Sequence, residues 1–402
     1  MKFRCFMILL LMAFLLVSCG SEPGPQMYTN DEDLCQIGDT LYLCRFLPQI
    51  FNGALPGESR LCRDPLCRHQ YNDFGCPESS RFSDVLTEFK TDGEILYMLT
   101  SDTDAKYEYY KQTGIKAQLR QIFALDLAEG SMREIASYEA SNFSYGANFW
   151  ADDGYIYYKQ GYILDPDGVD ASSQCVRIMR VKNTGSAPED ILGEDLDPTS
   201  NFIAEDGKIY LTRSDSRDVL EIINPETGET VSLSTGGRAV RRLAVMNGTV
   251  YAVCFDGELS VTGSETEHTI FTYAVYRADG GSLTCIAENI SAPVFSGGYI
   301  WYSTPEARFH GVVKPEMASP SDLLSHSAGD LIRLDPLSGE TMRWTAEKHI
   351  ESIGYSAGYV LANLIDYEEY ALSGEKDETI YKLTLNGDGT VTVAGEFEEA
   401  EK

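Results

Sequence analysis

One short hairpin pattern recurs along this chain, and it limits what the chain can fold into. A turn pair is followed by a variable residue, an aliphatic residue and usually an aromatic. The pattern appears as Asp92-Gly93-Glu94-Ile95-Leu96-Tyr97, Asp153-Gly154-Tyr155-Ile156-Tyr157 and Asp206-Gly207-Lys208-Ile209-Tyr210. It returns as Asn247-Gly248-Thr249-Val250-Tyr251, Gly297-Gly298-Tyr299-Ile300-Trp301 and Ala357-Gly358-Tyr359-Val360-Leu361, with a weaker first copy at Gly38-Asp39-Thr40-Leu41-Tyr42. Asp-Gly and Asn-Gly supply the positive φ angles of a tight hairpin turn. The branched and aromatic residues beyond them suit a pleated, half-buried strand.

A second hairpin follows most copies, as an alternating strand, a polar turn and another strand. It is clearest at 220–231 and 331–344, and weaker at 122–135, 275–286 and 380–393. Two hairpins per repeat make four strands, and four strands per repeat of this length read as a propeller blade. The expectation is an all-β fold, a seven-bladed β-propeller with four-stranded antiparallel blades. The Asp-Pro-x-Ser-Gly-Glu turn at Asp335-Pro336-Leu337-Ser338-Gly339-Glu340 resembles turns of quinoprotein-like, YWTD-type and TolB-like propellers. That resemblance implies a hairpin chemistry and carries no activity. Longer insertions at 101–118, 161–173, 257–268, 305–329 and 366–377 fall between the second and third strands of their repeats. They would gather on one face of the ring, where repeat proteins often bind.

The N-terminus predicts a compartment. Lys2 and Arg4 precede an apolar run over 6–17. That run is about a dozen residues, short of the roughly 20 that a spanning helix needs, and reads as a signal peptide. Its end, Leu16-Val17-Ser18-Cys19-Gly20, resembles the bacterial lipobox. The resemblance implies cleavage before Cys19 and a diacylglycerol on its sulfur, and two acyl chains hold a protein firmly on a bilayer. The expected organisation is a signal peptide over 1–18, a lipidated tether over 19–30, the propeller over 31–397 and an acidic tail over 398–402. The expected location is the extracytoplasmic face of the cell membrane.

Ten cysteines are present, and Cys35, Cys44, Cys62, Cys67 and Cys76 crowd into the first repeat. The spacing of Cys62, Cys67, His69 and Cys76 resembles a Cys-x4-Cys-x-His-x6-Cys signature of uncharacterised propeller lipoproteins of anaerobic Gram-positive bacteria. Three thiolates and an imidazole suit a structural zinc. The extracellular compartment favours disulfides instead, with Cys44 and Cys62 as one candidate pair. A reactive thiol site is a third reading. Cys175, Cys254 and Cys285 read as buried small hydrophobes.

The formal net charge is −30, which argues against nucleic acid as a partner, since phosphate binding wants a basic patch. No Gly-x-Ser-x-Gly elbow, HExxH helix or phosphate-cradling glycine loop occurs, and no catalytic residue is assigned. His310 and His326 fall in one insertion and read as loop surface. Asp165 to Asp170 resembles a calcium loop but lacks its terminal Glu, and reads as an Asp-rich turn. The expected role is a surface-anchored module that binds a carbohydrate, peptide or protein. The alternatives are an extracellular lyase or hydrolase on the same scaffold, or an envelope assembly lipoprotein.

Overall fold

The computed structural model describes residues 27–31, 34–44, 48–52, 86–102, 117–126, 129, 131–141, 149–163, 174–261, 268–279, 281–303, 331–345, 349–365 and 379–396. Among the described residues every regular element is a strand, and no helix is long and apolar enough to cross a membrane.

Five four-stranded antiparallel sheets each use consecutive strands. To number them in chain order, the first strands are β1 (Tyr28–Asn30), β2 (Leu34–Ile37), β3 (Thr40–Cys44) and β4 (Pro48–Asn52). Next come β5 (Leu86–Thr91), β6 (Ile95–Asp102), β7 (Ala117–Asp126) and β8 (Met132–Ser141), then β9 (Phe149–Asp152), β10 (Tyr155–Ile163), β11 (Gln174–Lys182) and β12 (Glu189–Asp190). The middle of the chain gives β13 (Asn201–Glu205), β14 (Lys208–Thr212), β15 (Val219–Ile223) and β16 (Thr230–Ser234), then β17 (Val240–Met246), β18 (Thr249–Val261), β19 (His268–Asp279) and β20 (Ser282–Ile290). The last are β21 (Val294–Ser296), β22 (Tyr299–Ser303), β23 (Leu331–Leu334) and β24 (Thr341–Trp344), followed by β25 (His349–Ser356), β26 (Tyr359–Ile365), β27 (Ile380–Leu385) and β28 (Val391–Glu396).

The fold is a β-propeller, and the hairpin glycines set its inner turns. Asp153, Asp206, Asn247 and Ala357 all take positive φ, each next to a glycine that does the same. This is the paired left-handed geometry that a two-residue turn requires. The innermost strands run β5, β9, β13, β17, β21 and β25 around the ring, each packed on the next. β2 and β3 lie between β25 and β5 and close it.

The expectation of seven separate blades is corrected. Five sheets stand as separate four-stranded blades, and the other eight strands form one continuous sheet in the order β20-β19-β18-β17-β1-β2-β3-β4. The physical cause is β1, which pairs antiparallel with β17 along one edge and with β2 along the other. Tyr28–Asn30 were expected in a tether, yet they are a strand of the fold.

Among the described residues the two ends of the chain share no sheet. β25–β28 come wholly from the end of the chain and β1–β4 from its start. Their junction is made by close packing instead. A side chain at Gly354 would put its Cβ 2.7 Å from Leu41 Cδ1, so β25 approaches β3 closely enough that Leu41 would have to shift for any larger residue. Leu34, Leu41 and Leu361 bury their side chains in the same seam.

Between blades the packing is aromatic. Trp150, Tyr157, Phe202 and Tyr210 belong to one buried cluster, and Tyr97, Tyr138, Phe149 and Tyr158 to another. Tyr138 and Tyr158 stack with ring centroids 4.2 Å apart. Such rings bury 150–250 Å² each and dominate core energetics.

Candidate functional site

The axis of the ring is occupied by the chain itself. Thr29, Asn30 and Asp31 are almost wholly buried, and their partners come from widely separated blades. Asn30 exchanges two hydrogen bonds with the backbone of Thr91 on β5, at 2.7 and 2.9 Å. Asp31 accepts from Arg242 on β17, and its backbone oxygen accepts from Lys90 Nζ of β5 at 2.9 Å. Tyr28 donates through its hydroxyl to Glu205 Oε1 of β13 at 2.6 Å, and its backbone N–H donates to Asn247 Oδ1 at 3.0 Å. Gln36, buried on β2, accepts from Ser296 Oγ and the Gly297 N–H, both at 2.8 Å, and donates to Tyr355 O at 3.0 Å. Tyr28 to Asp31, with Gln36, thus form a plug tied to the inner strands around it.

A belt of hydrogen bonds joins the inner turns. Asp152 Oδ2 accepts from the Gly207 N–H of the next blade at 2.7 Å. Ser296 Oγ accepts from the Tyr355 N–H at 2.8 Å, and Ser356 Oγ donates to Asp39 O. These residues, with Glu205, stand two positions before the second turn residue of their hairpins. Because each reaches a neighbouring turn or the plug, the hairpin turns all lie at one end of the ring.

Two carboxyl groups in this belt are perturbed. Burial pushes Glu205 up to about 7, with the charges of Asp152 and Asp206 adding to the rise and the Tyr28 hydrogen bond opposing it. Burial also raises Asp152, against the donated bonds of Gly207 and Asp206. Tyr28 is raised as well, first by burial and then by Glu205. The hydroxyl and both carboxyls are engaged with protein groups. Their arrangement fits a structural lock better than a site with atoms free to meet a substrate.

The second strands end and the third strands begin at the opposite end of the ring. Residues 103–116, 164–173, 262–267, 304–330 and 366–378 fall between those strands in their sheets, as the repeat pattern implied, and lie outside the described residues. On this face the β18–β19 hairpin is paired out to Val261 and His268, beyond an irregularity at Phe255/Gly257. Phe255 and Phe271 face each other across it with ring centroids 5.5 Å apart, and Phe271 is 47 % exposed.

The residues singled out from the sequence fall mostly elsewhere. Cys19, Cys62, Cys67, His69 and Cys76 lie outside the described residues, as do His310, His326 and Asp165 to Asp170. Cys35, Cys175 and Cys254 are buried. Cys285 is free and exposed, which corrects its expected burial, because it sits on β20, an outer strand with one face to solvent. Among the described residues no group of three or more His, Cys, Asp or Glu side chains is placed to hold a metal.

The sequence matches no family model and no curated protein. Several solved structures are similar in fold. The β-propeller domain of the Trilobed protease from Pyrococcus furiosus is 9 % identical over 77 % of this chain and 82 % of that one, with a TM-score of 0.41. TolB from Acinetobacter baumannii is 11 % identical over 84 % of this chain and 68 % of that one, with a TM-score of 0.38. The acylaminoacyl peptidase of Pyrococcus horikoshii is 10 % identical over 93 % of this chain, with a TM-score of 0.46. The present chain spans only 52 % of that peptidase's length.

Proposed function

We propose that this protein is a lipid-anchored binding module of the extracytoplasmic membrane face, whose ligand is a carbohydrate, peptide or protein held on the insertion face. The observation that carries this reading is the filled axis. A propeller that works through its central channel needs that channel open, and here Tyr28 to Asp31 and Gln36 fill it, tied to the inner strands by hydrogen bonds. Binding is then left to a face, and the face where the second strands end carries the Phe255–Phe271 hairpin with its exposed Phe271 ring. An extracellular hydrolase or lyase on this scaffold would need convergent titratable groups open to substrate. Glu205 and Asp152 are the perturbed carboxyls of the axis, and both are committed to fold contacts.

The test is an array of glycans and peptides probed with the mature protein, followed by replacement of 304–330 with a short Gly-Ser turn. Loss of a hit on that replacement, with Phe271→Ser weakening it, supports the reading. A hit that survives both changes overturns it.

A further inference from the structure

We infer that the ring meets its membrane with the inner-turn face and presents the insertion face outward. This rests on the proposed attachment at Cys19 and adds an orientation to it.

The chain enters the fold at a defined point. Met27 O accepts from the Gly38 N–H of the β2–β3 turn at 2.7 Å. A Cβ at Gly298, in the β21–β22 turn, would lie 3.4 Å from Met27 Sδ. Met27 therefore sits at the axis, level with the hairpin turns. The chain before it cannot return through the ring, because β1 fills that path.

Length forbids the other route. Eight residues, Cys19 to Gln26, separate the acylated position from Met27. Fully extended they reach at most about 28 Å. Passing from the axis over the rim to the far face requires four strand spacings of about 4.8 Å, roughly 19 Å in all, and then an outer wall of about 13 Å at the four-residue β24. That path exceeds the tether. The bilayer is accordingly reached from the turn face.

The charge of that face sets how the ring sits. Asp39, Asp92, Glu94, Asp153 and Asp206 occupy its inner turns; of the cations at the same end, Lys208 is paired with Asp206 at 2.9 Å and Arg277 with Asp279 at 2.8 Å, and Lys182 stands opposite Tyr155. Against an anionic bilayer such a face is repelled, so the ring stands off at the length of its tether. Salt shortens the reach of that repulsion to a Debye length of about 8 Å at physiological strength.

The experiment uses the full acylated protein on phosphatidylglycerol–phosphatidylethanolamine vesicles containing a headgroup-labelled acceptor lipid. A donor dye is placed through an encoded azide residue at Glu94 in the turn face or at Asp215 in the β14–β15 connection of the opposite face. Energy transfer is expected to be at least about twofold stronger from position 94, since the two ends of a strand are about 17 Å apart or more, and to rise with added salt. Stronger transfer from position 215, in a protein that binds vesicles and loses them on Cys19→Ala, overturns the orientation alone. A protein that fails to bind, or binds equally as Cys19→Ala, overturns the attachment and the orientation together.

Discussion

Asn30 and Thr91 hold each other in both directions: Nδ2 of Asn30 donates to Thr91 O at 2.7 Å, and its Oδ1 accepts from the Thr91 N–H at 2.9 Å. Both residues are buried, and they join the plug strand to the innermost strand of a blade across 61 residues of chain. Asn30→Ala would leave a donor and an acceptor of β5 without partners. Each such buried group costs about 1–3 kcal/mol. Chemical denaturation should show a loss of about 2–6 kcal/mol, and a loss under half a kcal/mol would mean that the plug is not engaged.

Glu205 makes stability depend on pH with a definite sign. Its folded value of about 7 lies above its ordinary 4.5, so between these values the folded protein holds a proton that the unfolded chain releases. Stability from this group is complete below about 4.5 and is lost as pH rises through about 7, a change of roughly 3 kcal/mol. The groups facing it are Tyr28 of the plug, Asp152 of the neighbouring blade and Asp206 of its own turn. Asp152, raised by burial, adds to the same trend. Glu205→Gln should flatten the stability profile between pH 5 and 7, as read by urea midpoints across that window.

Gly297 is confined twice over. Its φ is +62°, and an added Cβ would lie 2.5 Å from Tyr355 Cδ1. Gly228 has a similar φ of +72° with open space around it. The conformational cost is common to both and is about 1–2 kcal/mol. The clash belongs to Gly297 alone and adds about 1–3 kcal/mol. Gly297→Ala should therefore lower the melting temperature clearly more than Gly228→Ala. Equal shifts would contradict the close approach of β21 and β25.

Lys90 is fully buried, with Nζ 2.9 Å from Glu88 Oε1 and 4.8 Å from the centre of the Trp150 ring. Removing one partner of such a pair costs about 3–5 kcal/mol because it strands the other charge. Lys90→Met should be strongly destabilising, and Glu88→Leu combined with Lys90→Met should recover much of the loss. A double variant that loses the full sum of its singles would show that the pair is not coupled as drawn.

The hairpins were legible in the sequence because their chemistry is local. The turn geometry of Asp153-Gly154 or Asn247-Gly248 is set by two residues, and the strands after them by the three that follow. The sheet connections at 220–231 and 331–344 were legible for the same reason. The plug was not, because Tyr28-Thr29-Asn30-Asp31 has no period of its own, and apart from the neighbouring β2 its partners lie between 59 and 219 residues away. It reads as tether until the ring is closed around it. The Glu205 lock could have been found by aligning the repeats. Position 205 and position 152 carry acids where the corresponding sites hold Thr91, Met246, Ser296 and Ser356, and a carboxylate at a buried strand end needs a partner.

The placement of β1 between β17 and β2 is what the rest of this account depends on, and hydrogen exchange reads it directly. If Tyr28 to Asp31 form the axial strand, their backbone amides should be protected to nearly the same degree as those of Ala244 to Met246, against which they pair. Exchange of 28–31 at the rate of an unstructured peptide, while β17 stays protected, would contradict the plug and reopen the central channel as a binding site.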